Sequence, residues 1–241
     1  MSFISSTNLS RQYGTGKTAV SAVADINFSI DLGEFVGIMG ESGAGKSTLL
    51  SIMGAMNEPS SGRYFVDDID VYGLSQDQRA DFRREFLGFV FQSYHLMSYL
   101  TVVENVLLPL TTRKISRHEK REMAMEVLEN VGLTNKAHRF PNQISGGEKE
   151  RVAIARAIVN QPPVILADEP TGNLDTRTSR EIMELLQKLN RAGATIAMVT
   201  HSPECSQYAD RLLIVSDGKI REERVAAKIL LPSAAIAASG R

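Results

Sequence analysis

The chain has 241 residues, of which 43% are hydrophobic and 23% are charged, and its formal net charge is −1. This length suffices for one large α/β domain, or for one domain with a smaller insertion. The nearly balanced charge gives no support to a nucleic-acid partner, and none is expected. Cys205 is the sole cysteine, which excludes a disulfide framework and a cysteine metal cluster.

The first third of the chain predicts an antiparallel β layer. Residues 25–30 alternate apolar and polar side chains, a pattern typical of a half-buried strand with one wet face. Similar β-like stretches occur at residues 3–9 and 63–66. We expect these segments to flank a separate buried sheet.

A glycine-rich loop lies between a predicted buried strand at residues 35–39 and a predicted helix. The helix has an apolar face formed by Leu49, Ile52, Met53 and Met56, and we expect both methionines in the core. The loop fits the pattern G-x-x-x-x-G-K-[ST], in which backbone N–H groups converge on phosphate oxygens. The residues that we expect to contact a nucleotide are Gly40, Ser42, Gly43, Ala44, Gly45, Lys46, Ser47 and Thr48.

This strand, loop and helix together predict a nucleoside triphosphate site. Lys46 would reach the β- and γ-phosphates, and the Ser47 hydroxyl would bind Mg²⁺. The alternative is a glycine-rich turn without a ligand.

The middle third has a helical pattern. Ser116 and Glu119 form a capping box that precedes an apolar stripe ending near Gly132. A mainly helical insertion is therefore predicted at residues 93–158.

The last third returns to buried strands, one ending in Asp168-Glu169 and the next ending before His201. Ligands of open parallel sheets bind outside the carboxyl ends of the strands, so these side chains are expected beside the glycine-rich loop. Asp168 would hold Mg²⁺, because this cation prefers carboxylate oxygens. Glu169 would polarise an attacking water as a general base.

The segment Ile144-Ser145-Gly146-Gly147-Glu148 predicts a helix N-terminus with a capping box. Such a terminus binds anions readily, although for this segment by itself a well-capped helix without a ligand is the better explanation. With the following residues Lys149–Ala157, the segment resembles the signature L-S-G-G-Q of ATP-binding cassette (ABC) ATPases. It departs from that signature at two positions: Ile144 stands in place of leucine, and Glu148 stands in place of glutamine.

The resemblance implies roles for further residues. Gln92 would contact Mg²⁺ and join the core to the helical part, and Asp175 would belong to a loop that crosses a dimer interface. His201 would contact the γ-phosphate and, with Lys46, stabilise the developing charge. Tyr13 would stack on adenine.

The resemblance implies an α/β fold: a P-loop NTPase core with a flanking antiparallel β layer and an inserted α-helical subdomain. The expected division is a single ABC ATPase domain at residues 1–224. Its core comprises residues 1–92 and 159–224, its helical subdomain comprises residues 93–158, and a loosely ordered tail follows at residues 225–241.

The resemblance also implies the partners. Two copies of the chain would enclose two ATP molecules with Mg²⁺, with Ser145, Gly146 and Gly147 of one copy facing the nucleotide of the other. The segments Leu166–Asp175 and Thr101–Pro109 resemble the branch that serves lipoprotein release, macrolide export, peptide resistance and cell division. A separate permease would dock near Gln92, beside residues 94–97.

No run in the sequence reaches the roughly 18 apolar residues of a membrane span. The chain is therefore expected to be soluble by itself. The resemblance implies that it is a peripheral subunit at the cytoplasmic face of the inner membrane. The alternatives are cell-division signalling at the membrane and a soluble ATPase acting on nucleic acid or ribosomes. A P-loop kinase or GTPase would leave the signature segment, Gln92 and His201 unexplained.

Overall fold

The computed structural model describes residues 2–14 and 16–225, with the backbone alone at Lys17. An antiparallel sheet is formed by β1 (Ile4–Tyr13), β2 (Val20–Ile30), β4 (Ser61–Val66) and β5 (Ile69–Asp70), in the order β2-β1-β4-β5. This arrangement confirms the predicted antiparallel layer.

The second sheet contains β3 (Phe35–Met39), β6 (Leu87–Phe91), β7 (Val164–Asp168), β8 (Thr195–Val199), β9 (Arg211–Ser216) and β10 (Lys219–Val225). Its strand order is β10-β9-β3-β8-β7-β6. The strands from β9 to β6 are parallel, and β10 pairs antiparallel with β9 at the edge. The carboxyl ends of β3, β6, β7 and β8 therefore lie at one edge of the sheet, as predicted.

The helices are α1 (Lys46–Met53), α2 (Gln76–Phe86), α3 (Val102–Leu107), α4 (Arg117–Asn130), α5 (Gly146–Ile158), α6 (Thr176–Arg191) and α7 (Pro203–Ser206). Short 3-10 turns occur at Gly16–Thr18, Leu108–Leu110, Thr134–Lys136 and Pro141–Gln143. Among the described residues, no helix is long and apolar enough to cross a membrane.

Two hydrophobic clusters cover the two faces of the parallel sheet, because successive side chains of a strand point to opposite sides. Val36 and Ile38 of β3 pack with α1 and the antiparallel sheet, whereas Phe35 packs with α6. The core therefore has three layers: the antiparallel sheet together with α1, then the parallel sheet, and then α6.

A third hydrophobic cluster lies in the helical part, with buried members from Val102 to Val159. Helix α5 contributes Val152 to this cluster and Ile154 to the cluster beneath α6. We propose on this basis that residues 93–158 form a subdomain, joined to the core (1–92 and 159–224) through α5.

The prediction for Met56 was wrong. Met53 is fully buried, whereas Met56 is 45% exposed. The helix ends at Met53, and Ala55 has a positive φ of 52°, so the chain turns before Met56 can continue the apolar face.

The predicted tail at residues 225–241 lies outside the described residues except for its first member. Val225 is the last residue of β10 and pairs with Arg211. It therefore belongs to the strand.

Candidate nucleotide-binding site

The glycine-rich loop packs closely against neighbouring backbone. Gly45 has a φ of +99°, and a Cβ built on it would lie 2.0 Å from the carbonyl oxygen of Ala22. A Cβ on Gly40 would lie 2.1 Å from the carbonyl oxygen of Val215. No larger residue fits either position without moving the backbone.

Helix α1 begins immediately after this loop, at Lys46. Its N-cap is Gly45, which supplies no side-chain hydrogen bond to the first turn. The N–H groups of that turn and the positive end of the helix dipole are therefore available to an anion. This is the local geometry that binds phosphate.

The Lys46 ammonium is fixed above the loop, where it donates to the carbonyl oxygens of Gly40 at 2.8 Å and Glu41 at 2.7 Å. Lys46 is only 7% exposed. An ammonium has three hydrogens, so one remains for a ligand. The loop thus places a positive charge at the helix N-terminus.

A cleft of 710 Å³ opens over the loop and combines it with residues distant in sequence. This volume is within the range of small-molecule and cofactor sites. Its lining residues are Ala22, Gly40, Glu41, Ser42, Gly43, Gly45, Lys46, Ser47, Thr48, Gln92, Glu169 and His201. Ala44 is buried behind the loop, where its carbonyl accepts from the Gly218 N–H at 3.0 Å.

Glu169 lies between two other predicted site residues. Its Oε2 accepts a hydrogen bond from Nε2 of Gln92 at 3.3 Å, and its Oε1 lies 3.1 Å from Nδ1 of His201. The Glu169 backbone has a positive φ of 46°, and its N–H donates to the Val199 carbonyl at 3.0 Å. The carboxylate is therefore held at the edge of the sheet by both side-chain and backbone contacts.

Asp168 connects to the loop through Ser47, whose hydroxyl donates to Oδ1 of Asp168 at 3.4 Å. Burial raises the pKa of Asp168, the neighbouring Glu169 adds to the rise, and the hydrogen bond from Ser47 opposes it. A cation at this point would favour the ionised form.

Among the described residues, no group of three or more histidine, cysteine, aspartate or glutamate side chains could hold a metal ion. A cation here would therefore need other oxygens, such as those of phosphates. Mg²⁺ binds in that way, through one or two carboxylates and substrate phosphates.

The predicted signature residues lie outside the cleft lining. The Ser145 hydroxyl accepts from the Glu148 N–H at 3.2 Å, and the Glu148 carboxylate accepts from the Ser145 N–H at 2.8 Å. This backbone bond is the main cause of a lowered pKa for Glu148. The glycines Gly146 and Gly147 form the first turn of α5.

Asp175 lies close to this helix terminus. It caps α6, where it accepts from the Thr178 hydroxyl at 2.6 Å and from the Thr178 N–H at 3.0 Å. These bonds lower the pKa of Asp175. A Cβ on Gly147 would come 2.3 Å from Cγ2 of Thr178, so the beginnings of α5 and α6 pack together.

Tyr13 is not part of the cleft lining. It is 40% exposed near the end of β1, where the Arg11 guanidinium lies 4.8 Å from its ring centre. Ala22 and Glu41, which do line the cleft, were not predicted. Glu41 occupies a variable position of the loop pattern, and Ala22 reaches the cleft only through folding of β2.

Apart from Tyr13, the site residues thus form two groups, one at the cleft and one at the beginnings of α5 and α6. A family model described as ABC transporter matches residues 23–172. The chain belongs to the ABC transporter family. It is an ATPase of that family, and it binds ATP.

Relatives support this assignment over most of the chain. The uncharacterized ABC transporter ATP-binding protein YvrO of Bacillus subtilis is 47% identical over 213 residues, covering 88% of this chain and 93% of YvrO. The macrolide export ATP-binding/permease protein MacB of Vibrio parahaemolyticus is 42% identical over 224 residues. That match covers 93% of this chain but 34% of MacB, so the chain spans about a third of the length of this relative.

A solved structure has the same fold. It is the dimeric post-hydrolysis state of the ATP-binding cassette MJ0796 bound to ADP and Pi, a protein of Methanocaldococcus jannaschii. The TM-score is 0.86 at 40% identity, covering 94% of this chain and all of the other. The predicted ABC ATPase fold is therefore confirmed.

Proposed function

We propose that two copies of this chain close on ATP and, by hydrolysing it, drive a separate membrane permease in export or extraction. The observation that carries this proposal is the separation of the site residues into two groups. The cleft contains the phosphate loop, whereas Ser145 and Gly147 lie at the beginning of α5 and Asp175 lies at the beginning of α6. Each terminus would complete the cleft of the other copy.

The MJ0796 cassette is described as dimeric and bound to ADP and Pi, which supports this arrangement. In the proposed dimer the γ-phosphate bridges the two copies. Hydrolysis removes the bridge and lets the copies separate.

Within the cleft, we assign the water-orienting role to Glu169. Its carboxylate lies at the carboxyl end of β7, held between Gln92 and His201. Lys46 and His201 would stabilise charge that develops on the phosphate. Tyr13 keeps the proposed role of stacking on adenine, although this requires approach from outside the cleft lining.

The side chains present are compatible with Mg²⁺, and we assign it to Ser47, Gln92 and Asp168. The Gln92 amide donates to Glu169 through its nitrogen, which leaves its oxygen available as a ligand. When bound, Mg²⁺ would neutralise phosphate charge.

For the permease we propose a groove of 330 Å³ beside Gln92. Phe89 and Phe91 stack there with their ring centres 5.1 Å apart, and the His95 ring lies 4.8 Å from Phe91. Arg83, Arg84 and Arg156 also line it. An amphipathic helix of the permease, with an aromatic or aliphatic anchor and a carboxylate, fits such a mixed lining.

Two exposed side chains extend this surface. Met97 is 41% exposed and Tyr99 is 74% exposed, and the Tyr99 hydroxyl lies 3.7 Å from the Met97 sulfur. MacB is named as a macrolide export ATP-binding/permease protein, which combines the two functions. By analogy the chain would lie at the cytoplasmic face of the inner membrane, bound to its permease.

The test uses a Glu169→Gln chain, with Glu129→Gln on the exposed face of α4 as a matched control. We expect the first variant to form an ATP-dependent dimer with turnover reduced by about 10²-fold or more, because the base is lost. The control should hydrolyse ATP normally. Vigorous hydrolysis by Glu169→Gln would contradict the assigned role.

The same variant identifies the partner. Tagged Glu169→Gln chain would be captured with ATP from detergent-solubilised membranes, and the co-purifying proteins identified. A permease with few membrane helices supports export or extraction, whereas cell-wall enzymes indicate division signalling. Recovery only with ribosomes or DNA would overturn the transport proposal.

A further inference from the structure

Glu150 is a buried carboxyl group in the second turn of α5. The residue is 1% exposed, and neither carboxyl oxygen has a hydrogen-bond partner among the described residues. A buried ionised carboxylate without a donor is unfavourable, and most buried polar groups in proteins do have partners. This group therefore requires an explanation beyond packing.

The position of Glu150 on its helix places it beneath the junction of three segments. It lies one turn after Gly146, on the same face. A Cβ on Gly146 would lie 3.4 Å both from the Tyr94 hydroxyl and from Cδ2 of Leu174. The segments that meet here are the turn after β6, the loop before α6, and the first turn of α5.

Arg156 binds the same turn from the other end of α5. Its guanidinium donates to the carbonyl oxygens of Tyr94 at 2.7 Å and His95 at 2.5 Å. Tyr94 and His95 both have positive φ, at 59° and 48°, so this turn is held in a conformation that few residues adopt freely. Gln92, which lines the nucleotide cleft, lies two residues before Tyr94 in the chain.

The charges around Glu150 come from two elements. Among the described residues, Arg156 of α5 and Tyr94 of the turn are the titratable groups that interact with it electrostatically. Burial raises the pKa of Glu150 to about 8, and the positive charge of Arg156 opposes the rise. Near pH 7 the group is thus predominantly a neutral acid.

We propose that Glu150, buried in α5 without a hydrogen-bond partner, is a positioning residue of the ATPase cycle that keeps the signature end of α5 packed against the turn that follows Gln92. The inference rests on the proposed function, since it links the terminus that would face the other copy to the nucleotide cleft. When Glu150 ionises, its carboxylate competes with the carbonyls of Tyr94 and His95 for the Arg156 guanidinium. The link between α5 and the turn then weakens.

The test compares ATP-dependent dimerisation of Glu169→Gln chains that carry Glu150 or Glu150→Gln, at pH 7 to 9. Glutamine has the same shape and stays neutral. A group with a pKa of about 8 goes from roughly nine-tenths to one-tenth protonated over this range. We take the ratio of the association constant for dimerisation of the parent to that of the Glu150→Gln chain. This ratio should fall about tenfold between pH 7 and pH 9.

The matched control is Glu126→Gln, an exposed glutamate on α4, which should follow the parent at each pH. A merely structural role for Glu150 would shift the constant equally at all pH values. A ratio that does not change with pH would therefore overturn the inference.

Two further measurements separate this inference from the proposed dimer. Carboxyl ¹³C NMR should assign to Glu150 a pKa well above 4.5, and a value near 4.5 would overturn the inference whether or not the chain dimerises. Because the pKa is raised in the folded state, the folded chain binds more protons than the unfolded chain between pH 4.5 and 8. The free energy of unfolding should therefore decrease as the pH rises from 4.5 to 8. The Glu150→Gln chain should lack the part of this decrease that comes from Glu150.

Discussion

Asn105 offers a sharp test of how the proposed permease surface is held. It is fully buried at the end of the first turn of α3, and its side-chain amide forms hydrogen bonds with the loop that bears Met97 and Tyr99. The nitrogen donates to the carbonyls of Met97 and Leu100 at 3.1 Å each and of Thr101 at 2.9 Å. The oxygen accepts from the Met97 N–H at 2.8 Å.

The change Asn105→Ala removes two donor hydrogens and one acceptor, at about 1 kcal/mol for each hydrogen bond. We therefore expect a loss of about 3 kcal/mol in the free energy of unfolding. The unfolding entropy of a chain this long is about 0.5 kcal/mol/K, so Tm should fall by about 6 °C.

Differential scanning calorimetry of Asn105→Ala measures this effect, with Asn130→Ala, an exposed asparagine on α4, as the control. ATP-dependent dimerisation in the Glu169→Gln background should persist, because Asn105 does not line the nucleotide cleft. Permease capture should weaken, because Met97 and Tyr99 lose their fixed positions. A Tm within 1 °C of the parent would refute the reasoning about the loop.

The remaining predictions concern the two groups of site residues. Gly45→Ala should reduce ATP binding at least tenfold, measured by calorimetry, because its Cβ would overlap the Ala22 carbonyl. Gly132 also has a positive φ, but a Cβ built on it would meet nothing within 4 Å, so the Gly132→Ala chain should bind ATP normally. Equal losses of ATP binding in the two variants would contradict the explanation by a steric clash. Ser145→Ala and Ser116→Ala each remove a capping hydrogen bond worth about 1 kcal/mol. Only Ser145→Ala should impair ATP-dependent dimerisation, measured by size-exclusion chromatography. Impairment by both variants would indicate that the loss of a helix cap destabilises the chain in general.

Much of the fold was predictable because its signals are local. The buried strand at residues 35–39, the glycine loop and the following helix were identified from adjacent residues, and β3 and α1 have that arrangement. The capping boxes at Ser116 and Ser145 were likewise predicted from residues three apart, and both hydrogen-bond pairs are present. Met56 was mispredicted because a single turn after α1 overrode the helical spacing.

The placement of the site residues has a different basis. That Glu169 and His201 share a sheet edge follows from the parallel order of β7 and β8, which the sequence pattern indicated. That Gln92 donates to Glu169 depends on β6 lying beside β7. The resemblance implied only a Mg²⁺ contact for Gln92, and this hydrogen bond was not predicted. The position of Tyr13 outside the cleft lining was not foreseen.

The sequence by itself determined that the chain has a phosphate-binding loop and a buried parallel sheet, since glycine conformations and hydrophobic periodicity act over a few residues. Only the tertiary structure decided which polar groups are buried without a partner and which loops they hold. Glu150 resembles any helical glutamate in the sequence, yet it is 1% exposed in the folded chain, where Arg156 of the same helix binds the turn after β6. Burial is a property of distant segments brought together, and no local pattern encodes it.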